Sequence, residues 1–205
     1  MIVTYQGESC LKIQYGDFTL SYNPPKVVKN GKLPRFGANV VLVSTHRDDA
    51  NGSENMEYGS NIPFVIDGPG NYEIAGMSIE GIGTNVDLNG QKYINTVYRT
   101  HLDGMNLVFL GFATDEALTP EFRGKIGICD IIFIPIDQPG LTNQMAYKMA
   151  VGSDASIIIP IGTDMNKIKL FLKEAGQDKL TPIDKLTVKK KDLTGKEGEV
   201  VVLGM

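Results

Sequence analysis

The stretch Ala38-Asn39-Val40-Val41-Leu42-Val43-Ser44-Thr45-His46-Arg47-Asp48-Asp49-Ala50-Asn51 changes character at its midpoint. Residues 40–43 form an aliphatic, mostly β-branched run, the composition of a buried strand. From Ser44 onward every side chain except Ala50 is polar or charged. A strand that empties into such a loop places an imidazole, a guanidinium and two adjacent carboxylates at one end of a sheet. Asp48 and Asp49 beside His46 are therefore candidate catalytic groups, because paired titratable side chains in a cleft can share a proton or recruit a cation. The simpler reading is an acidic turn, since Asp and Asn readily hydrogen-bond the local backbone.

Around this stretch the chain has ordinary globular proportions. Its 205 residues suffice for a substantial core in one domain spanning 1–205, with 42% hydrophobic and 21% charged residues. The beginning of the sequence has no charged segment followed by a long apolar one, and the apolar runs at 131–134 and 157–159 fall far short of the ~20 residues of a membrane helix. The expectation is a cytoplasmic protein without membrane contact. A net charge of −4 argues against nucleic acid as a partner, which calls for Lys and Arg to neutralise phosphates. Lys189-Lys190-Lys191 reads as a solvated strand end. Cys10 and Cys129 lie in apolar, strand-like sequence without metal-type spacing and read as buried thiols.

Short strand patterns at residues 1–5, 9–15 and 18–22 are separated by Gly7 and Gly16-Asp17, which predicts an antiparallel start. Further strands are predicted at 64–66, 72–74, 77–79, 93–99 and 106–110. Helices are predicted only later. Thr119-Pro120-Glu121 is an N-cap followed by proline at the first helical position. Leu141, Met145 and Met149 predict a helix over 141–151, and Ile168, Leu172 and Ala175 behind Asp164 predict one over 164–175. Strands at 130–134 and 156–160 alternate with these helices. A meander followed by βαβα is compatible with two sheets face to face and helices outside.

The opening stretch resembles the strand A-D-x-V-L-V-S/T that precedes the H-x-H-x-D-H motif of metallo-β-lactamase-fold hydrolases. Other segments resemble the same family in order along the chain. Gly7-Glu8-Ser9-Cys10 is similar to its G-H-S turn. Pro69-Gly70-Asn71-Tyr72-Glu73-Ile74 is similar to the P-G-E-Y-E-I of the branch that contains the ascorbate-6-phosphate lactonases. Asn95-Thr96-Val97-Tyr98, Asp103-Gly104 and Leu110-Gly111 resemble N-T-V-Y…D-G…H-L-G-D, and Ile159-Pro160-Ile161-Gly162 resembles I-P-x-H. The resemblance implies an α/β (α+β) fold, a four-layer αββα sandwich of two mixed sheets, and a hydrolase family that uses zinc or manganese.

The frame of the motif is present and its ligands are not. The motif's histidines fall on Thr45, Arg47 and Ala50, and only its aspartate remains, as Asp49. The other ligand positions fall on Val86, Phe112 and Gly162, while the histidines of G-H-S and H-L-G-D fall on Glu8 and Phe109. Zinc requires imidazole, thiolate or carboxylate donors. A register shifted by one residue puts His46 and Asp48 on motif histidines but breaks the match of the preceding strand. The chain contains just two histidines, His46 and His101, so no register supplies a binuclear site.

The expectation is accordingly no metal and no cofactor. The function read from the sequence is a fold that has lost its metal motif and acts as a non-catalytic binding or interaction module for an unidentified ligand or protein partner; a role confined to homo-oligomer assembly is also compatible. The alternative is a residual hydrolase using one weakly bound metal, or Asp49 with His46. Arg47 stands where the second motif histidine points, and either pairs with Asp49 or receives an anionic ligand through its fork. Asp49 is expected to face Phe112 and Gly162, with Phe109 and Phe112 filling the former metal cavity. No G-x-S-x-G occurs, Gly68-Pro69-Gly70-Asn71 is turn sequence, and Gly81-Ile82-Gly83 is too short for a dinucleotide fingerprint.

Overall fold

The computed structural model describes residues 1–28, 31–114 and 119–205. Strands β1 (Ile2–Tyr5), β2 (Leu11–Tyr15) and β3 (Phe18–Tyr22) are followed by β4 (Val40–Leu42), β5 (Phe64–Ile66), β6 (Gly70–Ile74), β7 (Met77–Leu88), β8 (Gln91–Leu102) and β9 (Met105–Phe109). Helix α1 (Pro120–Ile126), β10 (Ile131–Pro135), α2 (Asn143–Val151), β11 (Ile157–Ile161) and α3 (Met165–Glu174) then alternate, and β12 (Leu186–Thr187) and β13 (Glu199–Val200) close the chain.

The strands form two mixed sheets. One has the order β12-β1-β2-β3-β4-β5, the other β13-β11-β10-β9-β8-β7-β6. In the first, β1, β2 and β3 pair antiparallel while β4 and β5 add in parallel. In the second, β9, β10, β11 and β13 are parallel and β6 to β9 antiparallel. Side chains of a strand alternate between its faces, and the core follows that alternation. Val40 and Leu42 of β4, Leu107 and Phe109 of β9, Ile131 and Phe133 of β10, and Ile157 and Ile159 of β11 enter the core between the sheets. Val108, Ile132, Ile134 and Ile158 point the other way and pack with Phe122 of α1, Met149 of α2 and Phe171 of α3. Burial on both faces is why β10 and β11 read as unbroken isoleucine-rich runs. The outer face of the first sheet carries a smaller cluster of Ala38, Val41, Val43 and Met56, the last from a 3-10 turn at Ser53–Met56.

The predicted helices occur where their caps place them. The hydroxyls of Thr119 and Thr142 and the carboxylate of Asp164 accept from the first-turn amides of α1, α2 and α3. The separate strands predicted at 77–79 and 93–99 are parts of one long hairpin of 12-residue strands. Its turn, Asn89-Gly90, has both residues at positive φ, the backbone that an Asn-Gly two-residue hairpin requires.

At one end of the sandwich a buried polar seam joins the sheets. Asn23, after β3, donates from Nδ2 to the Ser44 hydroxyl and accepts at Oδ1 from the Ser44 amide, both at 2.8 Å. The Ser44 carbonyl accepts from the Thr96 amide of β8 at 2.7 Å. Asn95, fully buried, donates to the Thr84 hydroxyl and the Leu110 carbonyl and accepts from the Phe112 amide. A Cβ at Gly111 would lie 2.4 Å from Asn95 Oδ1 and 2.8 Å from Ser44 Cβ, so this crossing excludes any larger residue. Tyr98 completes the seam, its hydroxyl lying 2.9 Å from the Val43 carbonyl and 3.1 Å from that of Ile66. Buried groups left without partners cost about 1–3 kcal/mol each. We therefore expect Asn95→Ala, which orphans the Phe112 amide and leaves the Leu110 carbonyl only its bond from the Ala113 amide, to lower stability by about 1–3 kcal/mol in urea unfolding; an unchanged midpoint would contradict the role assigned to the seam.

Candidate functional site

The loop that follows β4 lies at the seam end and is fixed by its backbone. The Arg47 amide donates to the Thr45 carbonyl, the Ala50 amide to the Arg47 carbonyl, and the amides of Lys26 and Val27 to the Asp48 carbonyl. Its side chains diverge. His46 is exposed and turns toward the link between β5 and β6, with Nε2 3.2 Å from the Asp67 carbonyl and 3.4 Å from its carboxylate. Asp48 is exposed. Asp49 receives Arg47 through two parallel bonds, Nε to Oδ1 at 2.8 Å and Nη2 to Oδ2 at 2.7 Å. His46 and Asp49 thus engage different partners.

Arg47 has further contacts. Its guanidinium lies 5.5 Å from the centroid of the Tyr93 ring and 5.3 Å from that of Phe112, within cation–π range. The Asp49 carboxylate raises the pKa of the guanidinium, the side-chain hydrogen bond being the largest cause. The fork available to bind an anion is therefore already committed to Asp49. Beneath it, Ala50, Val86, Leu88 and Phe112 form a separate apolar cluster with Tyr93 packed against it. Three of these residues, Ala50, Val86 and Phe112, stand at positions where the resemblance places metal ligands. Phe109 goes elsewhere: fully buried in the inter-sheet core, it lies 4.4 Å from the Tyr22 ring and stacks on Phe133 at 4.6 Å.

Gly162 is filled from outside. A Cβ built there would lie 2.5 Å from the Asp137 carboxyl carbon. That carboxylate accepts at Oδ2 from the amides and hydroxyl of Thr163 and Asp164 at the entry to α3. Asp137 is the residue that sequence reasoning missed. The signal was present: Ile134-Pro135-Ile136-Asp137 and Ile159-Pro160-Ile161-Gly162 are parallel tetrapeptides on neighbouring strands, one supplying a carboxylate where the other lacks a side chain. Glu8, in the turn after β1, has positive φ, and its carbonyl accepts from the Tyr5 hydroxyl at 2.6 Å. His101 sits in the exposed β8–β9 hairpin with Nδ1 3.0 Å from the Asn106 side chain. Burial pushes the Cys10 thiol up to about 12 and raises that of Cys129 as well, which removes both as nucleophiles near neutral pH.

The donor set does not fit a metal ion. Among the described residues no three His, Cys, Asp or Glu side chains are gathered so as to hold one. The retained motif carboxylate is ion-paired with Arg47, whose guanidinium lies against the Tyr93 and Phe112 rings. A catalytic zinc generally has three protein ligands.

The beta-lactamase superfamily domain matches residues 2–162. The chain belongs to this superfamily. Among solved structures, the sandwich is similar to a candidate Zn-dependent hydrolase of the metallo-beta-lactamase superfamily from Thermotoga maritima, with TM-score 0.75 and 24% identity over 98% of this chain and 97% of that one. A candidate metal-dependent hydrolase from Parabacteroides distasonis superposes with TM-score 0.67 and 17% identity over 98% and 91% of the two chains. A metallo hydrolase from Ignicoccus hospitalis does so with TM-score 0.65 and 15% identity over 92% and 99%. At these identities the structural likeness establishes the fold alone. No curated protein matches the chain. Against its superfamily, this member carries an Arg–Asp pair over an apolar cluster where the metal motif would stand.

The contact between Asp137 and Gly162 has a measurable consequence. Gly162→Ala should destabilise the protein by about 1–3 kcal/mol, the usual cost of overpacking, and should cost less in an Asp137→Gly background, where the bonds to Thr163 and Asp164 are already absent, than in the parent. A Gly162→Ala protein as stable as the parent would show that Asp137 does not fill this position.

Proposed function

We propose that this chain is a metal-independent member of the superfamily that works as a binding or interaction module, with residues 1–205 acting as one unit. The observation that carries the reading is the replacement at the metal end. Ala50, Val86 and Phe112 form an apolar cluster, and the retained Asp49 is neutralised by the Arg47 fork above it. Metal-assisted hydrolysis needs an ion to acidify a water, and among the described residues no three His, Cys, Asp or Glu side chains gather to hold one. Unity of the chain is supported by β12 and β13, which extend the two sheets from the last part of the sequence. Descent from the lactonase-like branch is part of the proposal. It is supported by Pro69-Gly70-Asn71-Tyr72-Glu73-Ile74 and by Asn95-Thr96-Val97-Tyr98, whose Asn95 and Tyr98 belong to the seam.

Action in the cytoplasm, without nucleic acid and with an organic ligand or another protein as partner, completes the proposal. No described helix is long and apolar enough to cross a membrane. The net charge of −4 is unfavourable for a phosphate backbone. Elemental analysis of protein purified without chelator tests the reading. It should find zinc and manganese well below one equivalent and no zinc-dependent hydrolysis of lactones or phosphorylated lactones. A full equivalent held by His46 together with Asp48 or Asp49 would instead establish a residual hydrolase.

A further inference from the structure

A cavity of about 330 Å³ opens beside the Arg47–Asp49 pair, between β8, the start of the loop after β4 and the link from β5 to β6. Lys92, Ile94 and Thr96 line it from one face of β8, as residues two apart on a strand must. Thr45, His46, Asp67, Pro69 and Tyr93 complete the wall.

Two features single this cavity out. Thr45 is 2% exposed, and its hydroxyl is buried without a hydrogen-bond partner among the described residues. A buried hydroxyl left unpaired costs about 1–3 kcal/mol, which a bound acceptor would recover. Lys92, exposed at the mouth, makes no ion pair with any described residue. A hydroxyl donor deep in the wall and an ammonium at the rim together suit a ligand with a negatively charged acceptor group. Part of the remaining wall is apolar, with Ile94 63% exposed, Pro69 exposed and one side of the Tyr93 ring held by Arg47, while His46, Asp67 and Thr96 make the rest polar.

Resting on the metal-independent reading, we propose that this cavity binds a small organic monocarboxylate with an apolar body. The carboxylate accepts from the Thr45 hydroxyl and the Lys92 ammonium, and the body lies against Ile94 and Pro69. The Asp67 carboxylate, in the same wall and 3.4 Å from His46 Nε2, repels any anion and a doubly charged one most, which directs a bound carboxylate toward Lys92. With the Arg47 fork committed to Asp49, the cavity also lacks the bidentate donor that phosphate recognition favours. The site therefore selects a monoanion over a phosphate.

Benzoate is the probe, followed by isothermal calorimetry and by methyl-group chemical shifts on protein of measured metal content. Inorganic phosphate serves as the competitor, and zinc and EDTA are added in parallel arms. Expected are saturable binding, shifts centred on Thr45 and Ile94, and no displacement by phosphate. Thr45→Val, which keeps the shape and removes the hydroxyl, should weaken binding by about tenfold. Lys92→Gln, at the exposed rim where folding is not at stake, should weaken it by several-fold. Absence of saturation in every arm, shifts centred elsewhere, or equal affinity in both variants overturns the cavity proposal and leaves the metal-independent reading standing. Binding that appears only with zinc and is lost in EDTA would overturn the metal-independent reading itself.

Discussion

The seam of Asn23, Ser44 and Asn95 is the constraint on which this end of the sandwich depends. Each amide side chain is buried and uses both its donor and its acceptor. Asn23 fixes the strand end that enters the loop at residue 45, and Asn95 fixes the turn that carries Phe112. A partly satisfied buried network is costly, whereas a satisfied one selects a single arrangement of its backbone. The loops that a metal ion would otherwise tie together are thus anchored by backbone and amide hydrogen bonds from below.

Given that anchoring, the chemistry of the end is set by charge. A half-buried carboxylate needs a counter-charge, and Asp49 finds it in the Arg47 fork at 2.7–2.8 Å. The guanidinium is planar and less strongly hydrated than an ammonium, so it can also lie against Tyr93 and Phe112. A metal ion in such a place would hold loops and activate water. Arg47 does the first of these and cannot do the second, because its pKa, raised further by Asp49, leaves it neither a Lewis acid nor a proton donor near neutral pH. Asp137 makes a similar exchange at Gly162, where a carboxylate that caps the entry to α3 fills the space of a missing side chain.

Much of this was legible in the sequence. The β4 run, the period-two burial of β1 and β2, and the caps Thr119 and Asp164 are local signals, and the local structure obeys them. Loss of the metal ligands was legible too, because it depends on residue identity rather than geometry. Other features were not. The strands β12 and β13, two residues each, are too short to leave a periodic pattern and exist through pairing with β1 and β11. The opposite directions of His46 and Asp49 follow from the backbone of a loop fastened to residues 24–27, a contact between distant segments. Asp137 was hidden because its role is defined by the absence of a side chain on the neighbouring strand.

Buried hydrogen bonds and the Arg47–Asp49 pair hold this end of the sandwich together without an ion. Any ligand that binds the folded state alone raises its stability in proportion to the logarithm of its concentration over its Kd. Urea unfolding of the purified protein in EDTA, and again with zinc or manganese in excess, measures that dependence directly. The same midpoint is expected in every condition. A midpoint that falls in EDTA and rises with added metal would show that an ion occupies the fold, and would contradict this expectation.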